Sequence, residues 1–291
     1  MGQHPSDTLS DNRLAWKATP HRSAGADSRA TGLQCLSNMQ LLTETQERVL
    51  YVTLNRPQKR NALSRSLLGE LKATFEAQAS NHDLVAAVLR GSGEQSFAAG
   101  GDLADFDQLR SEQDGRDMAL LARAALDAVR SFPVPVVAAL NGDALGGGAE
   151  LAVSCDFRIA AAGVRIGFIQ GRLAISTAWG GGVDLFELVG KRMALRLLSR
   201  TEMLDAVRAH EIGLVDTIAV APQTLEAAVE AFIAPLRVVA PQVQRAFKAL
   251  ALCRHDRLAA ERTELNHFAK CWAHPDHWVA HDRFMHRKQG E

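Results

Sequence analysis

The amino-acid sequence predicts an α/β fold followed by a helical C-terminal region, and two observations lead to this prediction. From residue 40 to about residue 220, short apolar or β-branched runs alternate with segments whose apolar residues recur at helical spacing. Beyond about residue 222 the alternation stops, and only helical segments follow. Repeated β/α units before an all-helical tail are typical of an α/β core with a helical appendage.

The core begins with a predicted strand at 48–55, RVLYVTLN, which is β-branched and ends in turn residues. Ser64 then caps a helix, because apolar residues follow it at helical spacing, namely Leu67, Leu68, Leu71 and Phe75. The further elements predicted in the core are strands at 84–89, 135–140, 156–161 and 214–218, and helical segments at 115–131, 149–154, 183–199 and 206–212.

The two ends of the chain differ from this core. Residues 1–38 are rich in small and polar residues and lack apolar periodicity, so we expect a disordered N-terminal extension. The α/β core is predicted to span 39–222, and the helical region 223–291. Within that last region, helices are predicted at 223–238, 242–253, 257–272 and 276–287.

Composition narrows the classes of function. Lys plus Arg number 33 and Asp plus Glu number 33, so no basic field favours nucleic acid as a partner. The four cysteines are scattered without a CxxC pair or a Cys/His cluster, which favours free thiols over a disulfide or a metal site. No apolar run approaches the roughly 18 residues of a membrane span, and the N-terminus lacks a secretory pattern. We therefore expect a cytoplasmic protein.

Two glycine-rich stretches follow predicted strands and present backbone N–H groups to an anion. The first is SFAAGGDL at 96–103, and the second is NGDALGGGAE at 141–150, directly before a helix. The start of a helix offers free N–H donors. Glu150 lies on the first turn of this helix and can face the same anion site as the glycine amides. Tight packing of the helix on the sheet is the alternative explanation of the glycines. Neither stretch matches the dinucleotide fingerprint or the phosphate loop of nucleotide-binding proteins.

Three segments together resemble the landmark motifs of the crotonase superfamily, the enoyl-CoA hydratase/isomerase family. They are LNRPQKRNALS at 54–64, SFAAGGDL at 96–103 and NGDALGGGAELAVSCDFRIAA at 141–161. The resemblance covers about residues 45–290. It implies a crotonase (ClpP-like) fold of repeated ββα units, a C-terminal region used for oligomerisation, and a homotrimer or dimer of trimers. It implies no metal and no cofactor, since coenzyme A arrives as part of an acyl-CoA thioester substrate.

The resemblance also assigns roles to residues. The amides of Gly101 and Gly147 would hold a thioester oxyanion, and Glu150 would be the catalytic acid or base. Removing one such amide donor elsewhere costs about 3–4 kcal/mol in the barrier. Lys59 and Arg60 would meet phosphates of coenzyme A. The full set of expected acyl-CoA-binding residues is Lys59, Arg60, Ala62, Leu63, Ala99, Gly101, Asp102, Leu103, Gly146, Gly147 and Trp179.

Asp102 is expected to be structural and to bond nearby amides, in preference to a catalytic role. Its position directly after Gly101 still places it in the acyl-CoA-binding set.

One position departs from the family pattern. Hydratases of this family carry a second glutamate twenty residues after the first, where this chain has Gln170. Glutamine neither supplies nor takes a proton at neutral pH, although its amide can orient a water. The stretch FIQGRLAISTAWGG, with Trp179, also resembles the ethylmalonyl-CoA decarboxylase branch. Arg172 would then hold a substrate carboxylate, unless it is a surface arginine.

Several functions therefore stay open at the level of sequence. A hydratase-like lyase matches the motif set best. An enoyl-CoA isomerase or a malonyl-type acyl-CoA decarboxylase would need only the single glutamate. A non-catalytic acyl-CoA-binding protein is the alternative from another class.

Overall fold

The structure, a computed structural model, describes residues 39–253 together with the positions Pro275 and Val279. The predicted N-terminal extension, 1–38, lies outside the described residues. The predicted helices 257–272 and 276–287 also lie outside them, apart from Pro275 and Val279, which are helical and exposed.

Ten strands are present in the described part of the chain, and five of them match the predicted strands in kind. They are β1 (Leu41–Gln46), β2 (Val49–Leu54), β3 (Ala86–Gly91), β4 (Ser96–Ala98), β5 (Val136–Leu140), β6 (Asp143–Leu145), β7 (Phe157–Ala161), β8 (Arg165–Gly167), β9 (Met203–Asp205) and β10 (Thr217–Ala219). The last predicted strand, 214–218, is shifted: the strand begins only at Thr217.

Eight α-helices connect and follow these strands within the described residues. They are α1 (Arg65–Gln78), α2 (Leu103–Phe106), α3 (Glu112–Arg130), α4 (Gly147–Ser154), α5 (Gly181–Arg200), α6 (Ala206–Glu211), α7 (Leu225–Val238) and α8 (Pro241–Leu252). Two short 3₁₀ helices, Pro57–Lys59 and Gln170–Leu173, complete the set. Ser64 caps α1 as predicted, since its side chain accepts a hydrogen bond from the Leu67 amide. Helix α5 is kinked at Gly190.

The strands form two sheets whose connections follow one rule. The larger sheet has the order β1-β2-β3-β5-β7-β10, and the smaller has the order β4-β6-β8-β9. Strand β1 is antiparallel to β2, and β9 is antiparallel to β8, while the other pairs are parallel. In each of the pairs β3–β4, β5–β6 and β7–β8, the first strand joins the larger sheet and the second joins the smaller one. A helix follows each pair, which confirms the expected repeated ββα architecture.

The core lies between the larger sheet and the helices that cover it. Leu67, Leu71 and Phe75 of α1 are fully buried, and Phe75 meets Phe132 edge to face with ring centroids 5.1 Å apart. Strands β2, β3 and β5 are buried along nearly their whole length, as expected for central strands covered on both faces.

The strands that the sequence analysis missed are short or polar. Strand β1 is mostly exposed at the sheet edge, so its residues show no apolar alternation. Strands β4, β6, β8 and β9 have three residues each, too few to show a period. The prediction that the second glycine-rich stretch runs directly from strand to helix was therefore incomplete, because β6 lies inside it. No helix within residues 39–253 is long and apolar enough to cross a membrane.

Candidate active site

Three parallel strands of the smaller sheet deliver the predicted catalytic residues to one place. Strand β6 lies between β4 and β8 and is parallel to both. Because the carboxyl ends of parallel strands meet at one edge of a sheet, the segments that follow them converge there. Gly101 follows β4, Glu150 follows β6, and Gln170 follows β8.

The predicted coenzyme A segment is hydrogen-bonded to the first glycine-rich stretch. The Leu63 amide donates to the Gly100 carbonyl at 2.8 Å, and the Asp102 amide donates to the Leu63 carbonyl at 3.0 Å. The Ala99 amide donates to the Arg60 carbonyl at 3.0 Å. These bonds continue the pairing pattern of a parallel bridge between Leu63 and Gly101. Two motifs that lie about forty residues apart in sequence are thus one structural unit.

A buried ion pair strengthens this unit and was missed by the sequence analysis. The Arg56 guanidinium donates to Asp102 Oδ2 at 2.7 Å, and Lys59 Nζ lies 3.5 Å from the same oxygen. Burial disfavours the ionised form of Asp102, but Arg56 and Lys59 outweigh this, and the net effect lowers the pKa of its carboxyl. The prediction that Asp102 mainly bonds amides overlooked Arg56. The signal was Arg56 in the first motif, a turn residue to which the sequence analysis gave no role.

The second glycine-rich stretch needs its glycines for contacts within the protein. Gly146 precedes α4 with φ +54° and ψ −119°, a conformation that favours glycine. A Cβ at Gly147 would lie 2.2 Å from the Trp179 indole, and a Cβ at Gly148 would lie 1.9 Å from the Ala98 carbonyl oxygen. These contacts support the packing explanation of the glycines.

The two glycine-rich stretches lie against each other at Gly100 and Gly147. A Cβ placed on Gly100 would be 3.5 Å from the Gly147 nitrogen. Gly147 is the first residue of α4, so its N–H has no helical partner. Among the described residues, neither the Gly147 nor the Gly101 amide donates to another backbone group. Phe106 of α2 packs beside Gly101.

The Glu150 carboxylate is buried and held by three neutral donors. Only 2% of Glu150 is exposed. Its Oε2 accepts from the Trp179 and Gly181 amides, both at 3.0 Å, and its Oε1 accepts from Gln170 Nε2 at 2.8 Å. Burial raises the pKa of Glu150, and the hydrogen bonds from Trp179, Gln170 and Gly181 offset this rise only in part. A carboxyl whose pKa is raised by burial takes up a proton more readily than an exposed glutamate does.

Gln170 stands directly beside Glu150 and has one unsatisfied atom. Its side chain is 91% buried, and its Nε2 is committed to Glu150. Its Oε1 has no hydrogen-bond partner within the described part of the chain. Since buried acceptors are rarely left without a donor, this oxygen is suited to a donor brought by water or by a ligand.

The remaining predicted residues lie at different depths around this centre. Trp179 is buried against Gly147. The Leu63 side chain is fully buried, and the Leu63 backbone joins the first motif to Gly100 and Asp102. Lys59, Arg60 and Leu103 are exposed, while Ala62 and Ala99 are partly buried. Arg172 lies on the surface, where its guanidinium donates to the Thr201 carbonyl at 2.9 Å.

Comparison with known proteins identifies the family. The profile of the enoyl-CoA hydratase/isomerase family matches residues 44–287, which is most of the chain. This chain therefore belongs to the enoyl-CoA hydratase/isomerase family, as its three motifs predict.

Individual relatives agree with this assignment. The short-chain-enoyl-CoA hydratase of Clostridium acetobutylicum is 30% identical over 254 residues, covering 86% of this chain and 96% of that protein. The ethylmalonyl-CoA decarboxylase of Xenopus laevis is 32% identical over 177 residues, covering 61% of this chain and 59% of that protein. The crystal structure of an enoyl-CoA hydratase from Bacillus anthracis superimposes with a TM-score of 0.80 at 28% identity, covering 86% and 97% of the two chains.

Proposed function

We propose that this enzyme processes acyl-CoA thioesters by stabilising an enolate between the Gly101 and Gly147 amides, with Glu150 as the proton carrier. The observation that supports the proposal is the position of the buried Glu150 carboxylate, in the first turn of the helix that begins at Gly147. The nitrogen of Gly147 lies against Gly100, next to the Gly101 amide. Two aligned N–H donors stabilise the negative charge that develops on a thioester oxygen. This chemistry requires neither a metal nor a redox cofactor.

The coenzyme A portion would bind along the unit formed by residues 54–64 and 99–103. Lys59 and Arg60 are exposed cations at its rim and suit the coenzyme A phosphates. Ala62, Ala99 and the exposed Leu103 offer small or apolar surface for the pantetheine arm. Asp102 would act within this unit through its ion pair with Arg56.

The proposed reaction is that of a hydratase-like lyase, which adds water to an enoyl-CoA. Glu150 would take one proton from water while the hydroxyl oxygen bonds to C3, and the electron pair of the double bond would move toward the thioester oxygen. The same carboxyl would then return the proton to C2, so that one carboxyl serves both steps. The unpaired Gln170 Oε1 would accept the second water proton as a hydrogen bond. The name of the relative from Clostridium acetobutylicum supports this choice.

A second candidate is favoured by the absence of a carboxyl at position 170. Moving a double bond along the acyl chain, or decarboxylating a malonyl-type thioester, needs the anion site and a single proton carrier. Gln170 donates to Glu150 and cannot act as a second acid. Similarity to the Xenopus laevis ethylmalonyl-CoA decarboxylase supports the decarboxylase form. On the structure, Arg172 is bonded to Thr201, so holding a substrate carboxylate would require it to leave that partner.

The test is Glu150→Gln, assayed on crotonyl-CoA, a 3-enoyl-CoA and a malonyl-type CoA. Turnover on the true substrate should fall about 100- to 10,000-fold, because a proton carrier is lost. The control is Glu112→Gln, which changes an exposed glutamate on α3. The substrate that the unchanged enzyme turns over fastest identifies the reaction. Full turnover by the Glu150→Gln enzyme would refute the proposal. Thioester binding without turnover on all three would favour the non-catalytic alternative.

We also propose a homotrimer or a dimer of trimers in the cytoplasm. Large apolar side chains are exposed on the last described helices, with Val238 87% and Phe247 62% exposed. Such residues favour burial against another subunit. Light scattering should give three or six times the subunit mass of 31.5 kDa. A monomer at micromolar concentration would contradict this proposal without touching the catalytic one.

A further inference from the structure

Two of the three donors to Glu150 come from one short turn. The Trp179 and Gly181 amides both donate to Glu150 Oε2, and they lie on either side of Gly180, whose φ is +94°. Glycine adopts many backbone conformations at similar energy, so contacts with the rest of the protein must fix the conformation that Gly180 has here. The question is which side chains do so.

Two arginines of helix α3 bind the carbonyl groups of this turn. Arg123 Nη2 donates to the Ala178 carbonyl at 2.9 Å, and Arg130 Nη2 donates to the Trp179 carbonyl at 3.2 Å. Seven residues separate the two arginines, so they lie on the same face of α3 two turns apart. Helix α3 therefore binds two successive peptide groups of the turn.

Each bond bears on the donors of Glu150. The Ala178 carbonyl belongs to the same peptide group as the Trp179 amide, so a donor on that carbonyl polarises the amide toward the carboxylate. The Trp179 carbonyl precedes Gly180, and binding it restrains the rotation that would turn the Gly181 amide away. Gly180 also lies close to the arginine, since a Cβ there would be 2.9 Å from Arg130 Nη2.

Arg130 is itself anchored more firmly than Arg123. Its Nε and Nη2 both contact Asp184 Oδ2, at 2.8 Å and 2.7 Å, and its Nη1 donates to Asp127 at 2.6 Å. Asp184 lies in the first turn of α5, which begins at Gly181. The side chains of Arg130 and Asp184 are 19% and 12% exposed, whereas Arg123 is exposed. The ion pair therefore joins the end of α3 to the start of α5.

We propose that Arg130, assisted by Arg123, is a positioning residue that holds the 178–181 turn so that its amides stabilise the Glu150 carboxylate. The inference rests on the proposed role of Glu150 as proton carrier. Arg130 acts through the turn and not on the substrate.

The charges around the turn make the effect measurable as a pH dependence. The charged side chains facing it are Arg123, Arg130 and Asp127 from α3 and Asp184 from α5. Within the described residues, the hydrogen bonds to the Glu150 carboxylate come only from uncharged donors. Loosening the turn would weaken two of them. The pKa of Glu150, already raised by burial, would then rise further.

The experiment compares Arg130→Met, Arg130→Lys and Arg123→Met with the control Arg116→Met. Arg116 lies on the same helix, is exposed and forms an ion pair with Glu112, away from the 178–181 turn. For Arg130→Met we expect kcat to fall about tenfold to a hundredfold with little change in KM, because the carboxylate is misplaced. The acidic limb of the kcat profile should move to higher pH by about half a unit or more. Arg130→Lys should recover part of both effects, and Arg123→Met should show a smaller change.

The outcomes separate this inference from the proposed function. If Arg130→Met does not fold, the inference is tested by Arg130→Lys and by Arg123→Met, which changes an exposed residue. Unchanged kcat and an unchanged acidic limb in the folded variants would overturn the inference, even if Glu150→Gln is inactive. A shift of the same size in Arg116→Met would overturn it as well. Full activity of Glu150→Gln would instead remove the proposed function on which it rests.

Discussion

Two buried carboxylates, Asp102 and Glu150, lie on the two halves of the site and behave in opposite ways. Asp102 is 6% exposed and Glu150 is 2% exposed, so both residues are shielded from solvent. Asp102 meets two cations, Arg56 and Lys59, and its pKa is lowered. Within the described residues, Glu150 accepts hydrogen bonds only from amide donors, and burial raises its pKa.

This difference separates a carboxyl group suited to anchoring the fold from one suited to proton exchange. A carboxylate paired with arginine stays ionised to lower pH than an unpaired one and serves as a fixed anchor. A carboxylate held by neutral donors keeps its place but can still take and give a proton. The nature of the donor and the depth of burial together set the direction in which the pKa of each acid moves.

The largest effect on this comparison is expected from a cation placed beside the Glu150 carboxyl. Gln170→Lys places an ammonium group where the Gln170 amide now donates to Oε1. The pKa of Glu150 should fall, and turnover should drop about 100-fold or more because the carboxyl no longer exchanges protons readily. The measurement is the pH profile of kcat on the best substrate.

Gln170→Met is the matched variant, since it removes the donor without adding charge. Its acidic limb should move to higher pH, opposite to that of Gln170→Lys. If the acidic limb moves in the same direction in Gln170→Met and in Gln170→Lys, the charge of the donor does not control the pKa of Glu150.

Removing the cation from Asp102 tests the other half of the comparison. Arg56→Met leaves a buried carboxylate without its main partner and should lower the free energy of unfolding by about 3 kcal/mol. Lys59→Met is the control, because Lys59 is 51% exposed and 3.5 Å away, and it should cost less than about 1 kcal/mol. Urea unfolding measures both. Equal losses in the two variants would mean that Arg56 has no special role.

The smallest effect is the pH dependence of stability, where the two acids act with opposite sign. The pKa of Asp102 is lowered by folding, so its contribution is present above its unfolded pKa of about 3.9 and is lost as pH falls below that value. The pKa of Glu150 is raised, so stability declines as pH rises from about 4.3 through its folded pKa.

Each acid alone changes the slope by at most about 1.4 kcal/mol per pH unit. Asp102→Asn should remove the loss of stability at acidic pH, and Glu150→Gln should remove the decline that begins above about pH 4.3. Identical pH profiles of unfolding in both variants and the unchanged protein would show that neither acid is linked to folding.

Local patterns were sufficient for the long elements. Strands β2, β3, β5 and β7 and helices α1, α3, α5, α7 and α8 each carry enough apolar residues to show a period, and all were predicted within a few residues. The three-residue strands of the smaller sheet were missed. That sheet exists because its strands pair with partners more than twenty residues away, and such pairing leaves no local signal.

The candidate site divides in the same way. Glu150 and the two glycine-rich stretches were identified from motif order, and their convergence agrees with that reading. Arg56 and Arg130 were not identified, since each has a partner far along the chain: Asp102 for the first, Asp184 and the Trp179 carbonyl for the second. An arginine in a turn or at a helix end looks like a surface residue until its partner is known.

By itself, the sequence determined the α/β class, the family, the position of Glu150 and the replacement of the second glutamate by Gln170. The tertiary structure decided what surrounds these residues: Gln170 donates to Glu150, its Oε1 has no partner among the described residues, and Asp102 is paired with Arg56. The physical reason is that a side chain's type is local, whereas its pKa depends on neighbours that only strand pairing and helix packing bring into contact.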